Sequence, residues 1–378
     1  MTSDVPDGVQ HGRESYPHTD GILPVQAIQR LIDDGHLRLT APPAARQLQP
    51  ASVDLRLGPV AYRVRASFLP SPGGTVMDRL TPLSLHTLDL ANGAVLETGC
   101  VYIVPLAESL ELPAAISAAT NPKSSTGRLD VFTRVIADGV PAFDQVPAGY
   151  TGPLYAEICP LTFPIVVRSG STLSQIRFRA GQTRETDEGL RALHQAAPLV
   201  TGGTADIADG IALSVDLAPR PGDTLIGYRA KRHTGVVDVD QPRACAIPEY
   251  WEEIRLSPGE RHLILDPDQF YILASKEAVS IPPSHAAELM PFNPLVGEFR
   301  VHYAGFMDPG FGHVDANGEG ARVVLEVRSH SVPFVIEDGQ IIGRLIYERM
   351  SERPDALYGA DLASNYQRQG LKLSKHFK

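Results

Sequence analysis

Hydrophobic residues follow a helical spacing in few parts of this chain and a strand-like pattern in most of it. Residues 24–37 place their apolar positions on one face of a helix, and residues 187–196 form a second candidate helix. Elsewhere, prolines and glycines separate short apolar segments, which predicts a barrel or sandwich of β-strands rather than a parallel sheet. The clearest segments are 52–57, 94–104, 129–136, 153–158, 163–168, 173–178, 262–265, 269–274, 322–327, 333–336 and 341–348.

The same pattern occurs twice, at an offset of 169 positions that takes residue 157 onto residue 326. Several of the matched residues are prolines and glycines, which fix the backbone locally. The offset is the size of a domain and far exceeds the period of a solenoid repeat. We therefore expect an internal duplication of one β-rich domain. Matched pairs include Tyr102 with Tyr271, Glu108 with Glu277, Pro113 with Pro282, Pro164 with Pro333 and Gly170 with Gly339.

The predicted organisation follows from this repeat. Residues 1–20 are polar and rich in His, Gly and Pro, and we expect them to form a flexible N-terminal tail. The first copy is assigned to residues 21–200 and the second to residues 201–378. Residues 201–210 (TGGTADIADG) have the composition of a linker between the two.

Composition excludes several classes of protein. The formal net charge of −10 argues against a general nucleic-acid or membrane-surface binder, although a local basic pocket for a small polyanion is compatible with it. The three cysteines form no CxxC pair, so they indicate neither a disulfide framework nor a zinc site. No apolar run has transmembrane length. We expect a cytoplasmic protein without nucleic-acid or membrane partners.

The octet at residues 121–128 (NPKSSTGR) is the first candidate for chemistry. Lys123 and Arg128 can bind phosphate or carboxylate, and arginine does so with two parallel hydrogen bonds. Ser124 and Ser125 can donate to phosphate oxygens or orient a water molecule. A polar loop with serine caps is the alternative interpretation.

Glu157 is the second candidate, because it lies within the apolar strand pattern of residues 153–160 (PLYAEICP). A buried carboxylate has a raised pKa and suits a general acid or base. Alternation along an edge strand would instead place Glu157 on a wet face. Glu326 occupies the same repeat position in the second copy, which favours a structural or oligomer-facing constraint, or an ancestral site.

Three further segments carry charged residues, and two of them have two interpretations each. Asp54 and Arg56 alternate with apolar residues, and this predicts a strand with a surface ion pair of little energetic value. Residues 226–240 hold the densest basic cluster, which either binds an anion or forms a solvated face. Residues 358–378 form either a tail that closes over a phosphate or a frayed terminus. The cluster contains Arg229, Lys231, Arg232 and His233.

Taken together, six segments resemble the dCTP deaminase family over nearly the whole chain. The family belongs to the trimeric dUTPase-like proteins. The resemblance therefore implies two tandem dUTPase-like domains, each a distorted β-barrel with jelly-roll character, and a trimer-type homo-oligomer with sites between subunits. The doubled length is similar to the tandem form of the family. The segments are residues 21–39, 49–58, 110–139, 153–160 and 364–375, together with MDPGFG at residues 307–312.

The resemblance implies hydrolytic deamination of dCTP to dUTP and ammonia without zinc, in the synthesis of pyrimidine deoxynucleotides. Glu157 would be the general base, and Ser124 and Arg128 would hold the attacking water and the cytosine. Magnesium would enter bound to the triphosphate. The remaining implied contacts are Lys123 and Ser125 to phosphate, the backbone of Ala137 to the pyrimidine, and Tyr358, Tyr366, Gln369 and Lys372 in the tail.

The chain departs from the family pattern in two places. Residues 140–152 are longer than the family's loop, so we expect a reshaped pocket. Residues 290–300 (MPFNPLVGEFR) replace the Ser-Ser-Arg loop in the second copy. We therefore expect this copy to be catalytically silent, and to serve as a structural partner that lends Arg229 and Lys231 to the first copy's site. The aligned pairs are Ser124 with Asn293 and Arg128 with Gly297.

Two alternative functions stay open on the sequence. A bifunctional enzyme would also hydrolyse dUTP to dUMP, and pyrophosphate release would distinguish it. A non-catalytic nucleotide-binding protein of the same fold would bind dCTP tightly without turning it over.

Overall fold

The computed structural model describes residues 19–201, 204–220, 222–291, 299–301, 305–329, 331–359 and 370–378. Strands predominate and the helices are short, so the predicted mainly β class with two tandem domains is confirmed. The helices are α1 (Val25–Asp33), α2 (Val76–Leu83), α3 (Ser124–Gly127), α4 (Asp187–Ala196) and α5 (Ile247–Tyr250), with a 3-10 turn at Val314–Ala316.

The strands of the first copy run from β1 to β14. They are β1 (Gly21–Ile22), β2 (Leu37–Leu39), β3 (Leu48–Gln49), β4 (Ser52–Arg56), β5 (Val60–Val64), β6 (Ser84–Asp89), β7 (Ala94–Leu96), β8 (Val101–Glu111), β9 (Ile116–Pro122), β10 (Val131–Ala137), β11 (Gln145–Val146), β12 (Thr151–Pro160), β13 (Ile165–Val167) and β14 (Thr172–Ala180).

The strands that follow, up to residue 349, run from β15 to β27. They are β15 (Val200–Thr201), β16 (Ile211–Ser214), β17 (Leu225–Ala230), β18 (Val237–Asp238), β19 (Trp251–Arg255), β20 (His262–Leu265), β21 (Phe270–Val279), β22 (His285–Pro291), β23 (Phe299–Val301), β24 (Phe306–Met307), β25 (Ala321–Ser329), β26 (Phe334–Glu337) and β27 (Ile341–Arg349).

The internal repeat extends to the register of the sheets. In the first copy β12 pairs with β8 and places Glu157 opposite Ile103. In the second copy β25 pairs with β21 and places Glu326 opposite Ile272, the residue that the offset of 169 assigns to Ile103. The antiparallel pair β7–β13 recurs as β20–β26 with a matching register. The two glutamates therefore hold equivalent positions in equivalent strands.

Each copy encloses its own hydrophobic core between two sheets. The first copy has sheets of order β11-β9-β14-β4-β3 and β10-β12-β8-β5-β6, and the second has β19-β17-β21-β25-β23 and β16-β27-β22-β24. Apolar side chains face inward in both, which accounts for the strand patterns of the sequence. Helix α4 packs Leu190 into the second core, and its first turn is capped by the Thr186 hydroxyl, which accepts from the amide of Gly189 at 3.0 Å.

The two copies pack directly against each other. Strand β18 of the second copy adds in parallel to β13 of the first, and the Arg168 guanidinium donates to Asp238 at 2.7 Å across this contact. A third hydrophobic cluster joins Phe163 of the first copy to Trp251 and Phe377 of the second, with ring centroids 5.4 and 6.1 Å from Phe163. Residues 370–378, the C-terminal segment, thus lie between the copies and beside α3, which follows β9.

Candidate active site

A cavity with a volume of about 490 Å³ is lined by residues of both copies. The first copy contributes α3 and its flanking residues, including Ser124 and Arg128. The second copy contributes Glu326 from β25 and the segment from Phe306 to Asp308. A concave site of this size with a few convergent polar groups is typical of small-molecule binding.

A tight helical turn presents the polar residues of the first copy. Strand β9 ends at Pro122, and α3 follows at once, closed by the Arg128 amide donating to the Ser124 carbonyl at 3.1 Å. Arg128 is 3% exposed and donates through Nη1 to the carbonyl of Lys372 at 3.1 Å. The Ser125 carbonyl accepts from the Ser374 hydroxyl at 2.8 Å. The C-terminal segment therefore stabilises the turn through two hydrogen bonds.

Glu326 faces this turn from the second copy. The residue is 5% exposed, and its Oε1 lies 3.8 Å from Nε of Arg128. Burial raises the pKa of Glu326 to about 7, and the positive charge of Arg128 opposes that rise. A carboxyl group with this pKa exchanges a proton readily near neutral pH, as a general base must.

A buried arginine fixes the second-copy segment that completes the wall. Arg177 on β14 of the first copy donates to the Met307 carbonyl at 3.2 Å and to Asp308 Oδ1 at 2.9 Å. Its guanidinium also lies 4.1 Å from the centre of the Phe306 ring. Burial raises the pKa of the Asp308 carboxyl, and Arg177 acts in the opposite direction.

The first-copy end of the cavity is basic. Lys123 forms an ion pair with Asp54 and donates to the Thr172 hydroxyl at 2.7 Å. Lys375 lines the same end, and burial followed by repulsion from Lys123 lowers its pKa. Burial raises the pKa of Asp54, whereas Lys123 lowers it. The predicted surface pair of Asp54 with Arg56 is wrong, because Arg56 binds the buried Glu108 at 2.7 Å instead.

Most of the predicted loop and tail residues meet at this cavity. Five predicted residues line it. Lys372 does not line it, but its carbonyl accepts a hydrogen bond from Arg128, which does. Burial and the charge of Arg128 lower the pKa of the Lys372 amine. Two further tail predictions, Tyr366 and Gln369, lie outside the described residues, as do Asn293 and Gly297. The five lining residues are Lys123, Ser124, Ser125, Arg128 and Tyr358.

Glu157 does not join them. Arg134 on the adjacent strand covers it, with Nη2 2.5 Å from Glu157 Oε1. The guanidinium of Arg134 stacks 3.4 Å from the ring centre of Phe143, which lies in the long loop of residues 140–152. The second oxygen, Oε2, is buried and has no hydrogen-bond partner among the described residues. The loop that was expected to reshape the pocket thus packs over the first-copy glutamate.

Three other predicted contacts are also placed elsewhere. Ala137 ends β10 inside the hydrophobic core of the first copy. Arg229 pairs with Glu252 at 2.6 Å, and Lys231 donates to the Pro248 carbonyl at 2.7 Å. None of the three lines the cavity. In this structure Arg229 and Lys231 of the basic cluster are both paired with protein groups, away from the cavity.

Two residues that line the cavity are repeat counterparts of residues that the sequence analysis assigned to the site. The offset of 169 takes Ala137 onto Phe306 and Glu157 onto Glu326, and both second-copy residues line the cavity. The repeat in the sequence was the signal that could have pointed to these two residues. The octet has no counterpart in the second copy, and the cavity is lined by the octet of the first copy and the glutamate of the second.

Neither a membrane helix nor a preformed metal cluster is found in the part of the chain that the structure describes. No described helix is long and apolar enough to cross a membrane. No group of three or more His, Cys, Asp or Glu side chains among those residues could hold a metal ion.

Comparison with protein-family models gives two matches that divide the chain. Residues 19–182 match the N-terminal domain of 2'-deoxycytidine 5'-triphosphate deaminase, and residues 186–377 match its C-terminal domain. A solved structure described as 2'-deoxycytidine 5'-triphosphate deaminase from Agrobacterium tumefaciens is 59% identical, with a TM-score of 0.84. The alignment covers 88% of this chain and 100% of that one.

Curated relatives match a smaller part of the chain. A "dCTP deaminase, dUMP-forming" of Clavibacter michiganensis is 35% identical over 127 residues, which are 32% of this chain and 58% of that protein. A protein of the same description from Halobacterium salinarum is 30% identical over 163 residues, covering 41% of this chain and 78% of its own length. The chain thus spans about three fifths of the length of the first relative.

Proposed function

Because this chain belongs to the 2'-deoxycytidine 5'-triphosphate deaminase family, we propose that it deaminates dCTP in the cavity between its two copies. The observation that carries the proposal is the approach of Glu326 to Arg128 across the copy boundary, at 3.8 Å in a buried pocket. The loop of the first copy and the carboxylate of the second form one site within one chain.

Glu326 is the general base in this mechanism. Its carboxylate takes a proton from a water molecule while the water oxygen attacks C4 of the cytosine ring. Glu326 then returns that proton to the ring nitrogen N3, takes the proton of the new C4 hydroxyl and passes it to the exocyclic amine, so that the C4–N bond breaks, ammonia leaves and C4 becomes a carbonyl. The products are dUTP and ammonia, with one water consumed. Burial of Glu326 supports this role, because its raised pKa lets the carboxyl group both accept and return the proton.

Ser124 and Arg128 orient the reactants. The serine hydroxyl positions the attacking water, and the guanidinium stabilises the negative charge that develops on the ring and the attacking oxygen. The backbone from Phe306 to Asp308 faces the pyrimidine from the other side, the role that the family resemblance first suggested for Ala137. The second copy is therefore a contributor of catalytic groups in this proposal rather than a silent partner.

The triphosphate occupies the basic end of the cavity. Lys123, Ser125 and Lys375 supply donors for phosphate oxygens there. Asp54 and Asp308 also line the cavity, but they are ion-paired with Lys123 and Arg177. Magnesium therefore enters as part of the substrate, bound to phosphate oxygens. Zinc has no part in the proposed chemistry.

The pH profile follows from the pKa of Glu326, which burial raises to about 7. The ionised carboxylate is the active form, so kcat/KM for dCTP should increase about tenfold per pH unit below that pKa and level off above it. Initial rates between about pH 5.5 and 8.5 measure this. Melting temperatures at each pH control for unfolding, and a flat profile below pH 7 would argue against Glu326 as the base.

Incubation of the purified protein with dCTP and magnesium tests the proposal, with ammonia and pyrophosphate measured separately. Ammonia without pyrophosphate is the outcome expected of a deaminase. Tight dCTP binding with neither product would overturn the proposal and favour a non-catalytic nucleotide-binding protein.

A dUMP-forming enzyme is the second candidate. The Clavibacter and Halobacterium relatives are both described as dUMP-forming, which favours this candidate. The clustering of Lys123 and Lys375 at one end of the cavity is compatible with holding a departing pyrophosphate. Pyrophosphate formed together with ammonia would establish this activity, and its absence would exclude it.

A further inference from the structure

We infer that Arg177 is a positioning residue for recognition of the cytosine, acting through the second-copy segment that runs from Phe306 to Asp308. This inference rests on the proposed function. Arg177 comes from β14 of the first copy and is fully buried. It does not line the cavity itself, but three consecutive residues that it contacts do. It therefore acts on substrate only through them.

Arg177 contacts the segment and the strand beside it through Nη1, Nη2 and its planar face. Nη1 donates to the Ala287 carbonyl at 3.0 Å, on β22, which pairs with β24. Nη2 donates to the Met307 carbonyl at 3.2 Å and to Asp308 at 2.9 Å. The planar face lies 4.1 Å from the Phe306 ring centre. One guanidinium thus sets backbone, carboxylate and ring of the segment at once.

Burying a full charge is costly, and several good hydrogen bonds must offset that cost. A simple structural role would require only that the charge be paired. The arrangement here is more specific, because Nη1 and Nη2 donate to the wall of the cavity and to the strand beside it, while Nε has no hydrogen-bond partner among the described residues. A planar group with a fixed donor geometry does this, and an ammonium group cannot.

Arg179 provides a matched comparison on the same strand. It also crosses the copy boundary, where it binds Glu348 at 2.7 Å and Glu288 at 2.9 Å. Neither of these carboxylates lines the cavity. Arg179 therefore joins the two copies by the same chemistry without touching the substrate-facing segment, and it shares Glu348 with Arg177, whose Nη1 lies 3.8 Å from Glu348 Oε2. A loss of activity that comes only from weaker packing of one copy on the other should appear in variants of both arginines.

The test compares Arg177→Lys with Arg179→Lys in the full chain. For Arg177→Lys we expect kcat/KM for dCTP to fall by about tenfold or more, since a displaced wall lengthens the contacts to the base. For Arg179→Lys we expect a change within about threefold. Inorganic tripolyphosphate, tested as a competitive inhibitor, should keep its inhibition constant in both variants. The reason is that Arg177→Lys should displace the segment from Phe306 to Asp308 and leave the phosphate end of the cavity in place.

Two results would overturn the inference. One is an equal loss of kcat/KM in the two variants, and the other is a parallel loss of tripolyphosphate affinity in Arg177→Lys. If Arg177→Lys does not fold, Arg177→Gln is measured in the same way, since its planar amide can still contact Phe306 and the Met307 carbonyl. Failure of the proposed function is distinguishable, because the wild-type chain would then release no ammonia from dCTP.

Discussion

The Glu326→Gln variant is expected to lose about 10²–10⁴-fold in kcat for dCTP deamination while it still binds the nucleotide. The amide cannot accept the proton of the attacking water. It keeps the size of the carboxylate and can still face Arg128, 3.8 Å away in the wild-type chain. The loss should therefore appear in kcat, with KM little changed. Ammonia release under saturating dCTP measures it.

Glu157→Gln is the matched control, because the two glutamates occupy equivalent repeat positions. Glu157 is covered by Arg134 and does not reach the cavity. We expect its kcat to stay within about twofold of wild type, with a lower melting temperature because Arg134 loses its charged partner. Loss of activity in Glu157→Gln with retention in Glu326→Gln would reverse the assignment of the base.

Arg128→Lys is expected to lower kcat/KM for dCTP by about 10²–10³-fold, although the positive charge is kept. The guanidinium of Arg128 binds the carbonyl of Lys372 and still presents its Nε towards Glu326. A lysine ammonium is a point donor and cannot serve both sides of the cavity in a fixed geometry. Steady-state kinetics with dCTP measure the effect, together with the melting temperature.

Arg134→Lys is the corresponding control, since Arg134 makes the same kind of arginine–glutamate contact with Glu157. It stacks on Phe143 outside the cavity, so this variant should change stability and leave kcat/KM near the wild-type value. Equal kinetic losses in Arg128→Lys and Arg134→Lys would mean that both act only through folding.

Much of the fold could be predicted from local sequence. The spacing of apolar residues places α4 and the start of α1 almost residue by residue, because both helices bury one face and are bounded by residues with special backbone or capping properties. The predicted segment 24–37 runs past the end of α1 at Asp33 and into β2. The repeat is visible because prolines, glycines and strand residues recur at one offset. The same offset predicts the register of the second copy, with Glu326 opposite Ile272.

The choice between the two glutamates could not be made from the sequence. Glu157 and Glu326 have the same local pattern, and only the packing of one copy on the other decides which faces Ser124 and Arg128. Glu157 was assigned with the octet because the family resemblance runs through both of their segments in order. The contact between Arg134 and Phe143 depends on the folding of the long loop, which no local pattern encodes.

The role of the basic cluster was equally undetermined by composition. Arg229 and Lys231 are close in sequence to other cations, which made an anion site plausible. In the structure their partners are Glu252 and the Pro248 carbonyl. Both partners come from a segment some twenty residues later. Charges that look unbalanced along the chain are often balanced across strands, and only the fold shows the pairing.

The most direct test of the composite site is a crystal structure of the Glu326→Gln chain with dCTP and magnesium. We expect C4 of the cytosine to lie within about 4 Å of the residue 326 side chain. Ser124 and Arg128 of the same chain should flank the base, with the triphosphate towards Lys123. A cytosine bound beside Glu157 and Arg134, or one that contacts the loop of one chain and the glutamate of another, would contradict it.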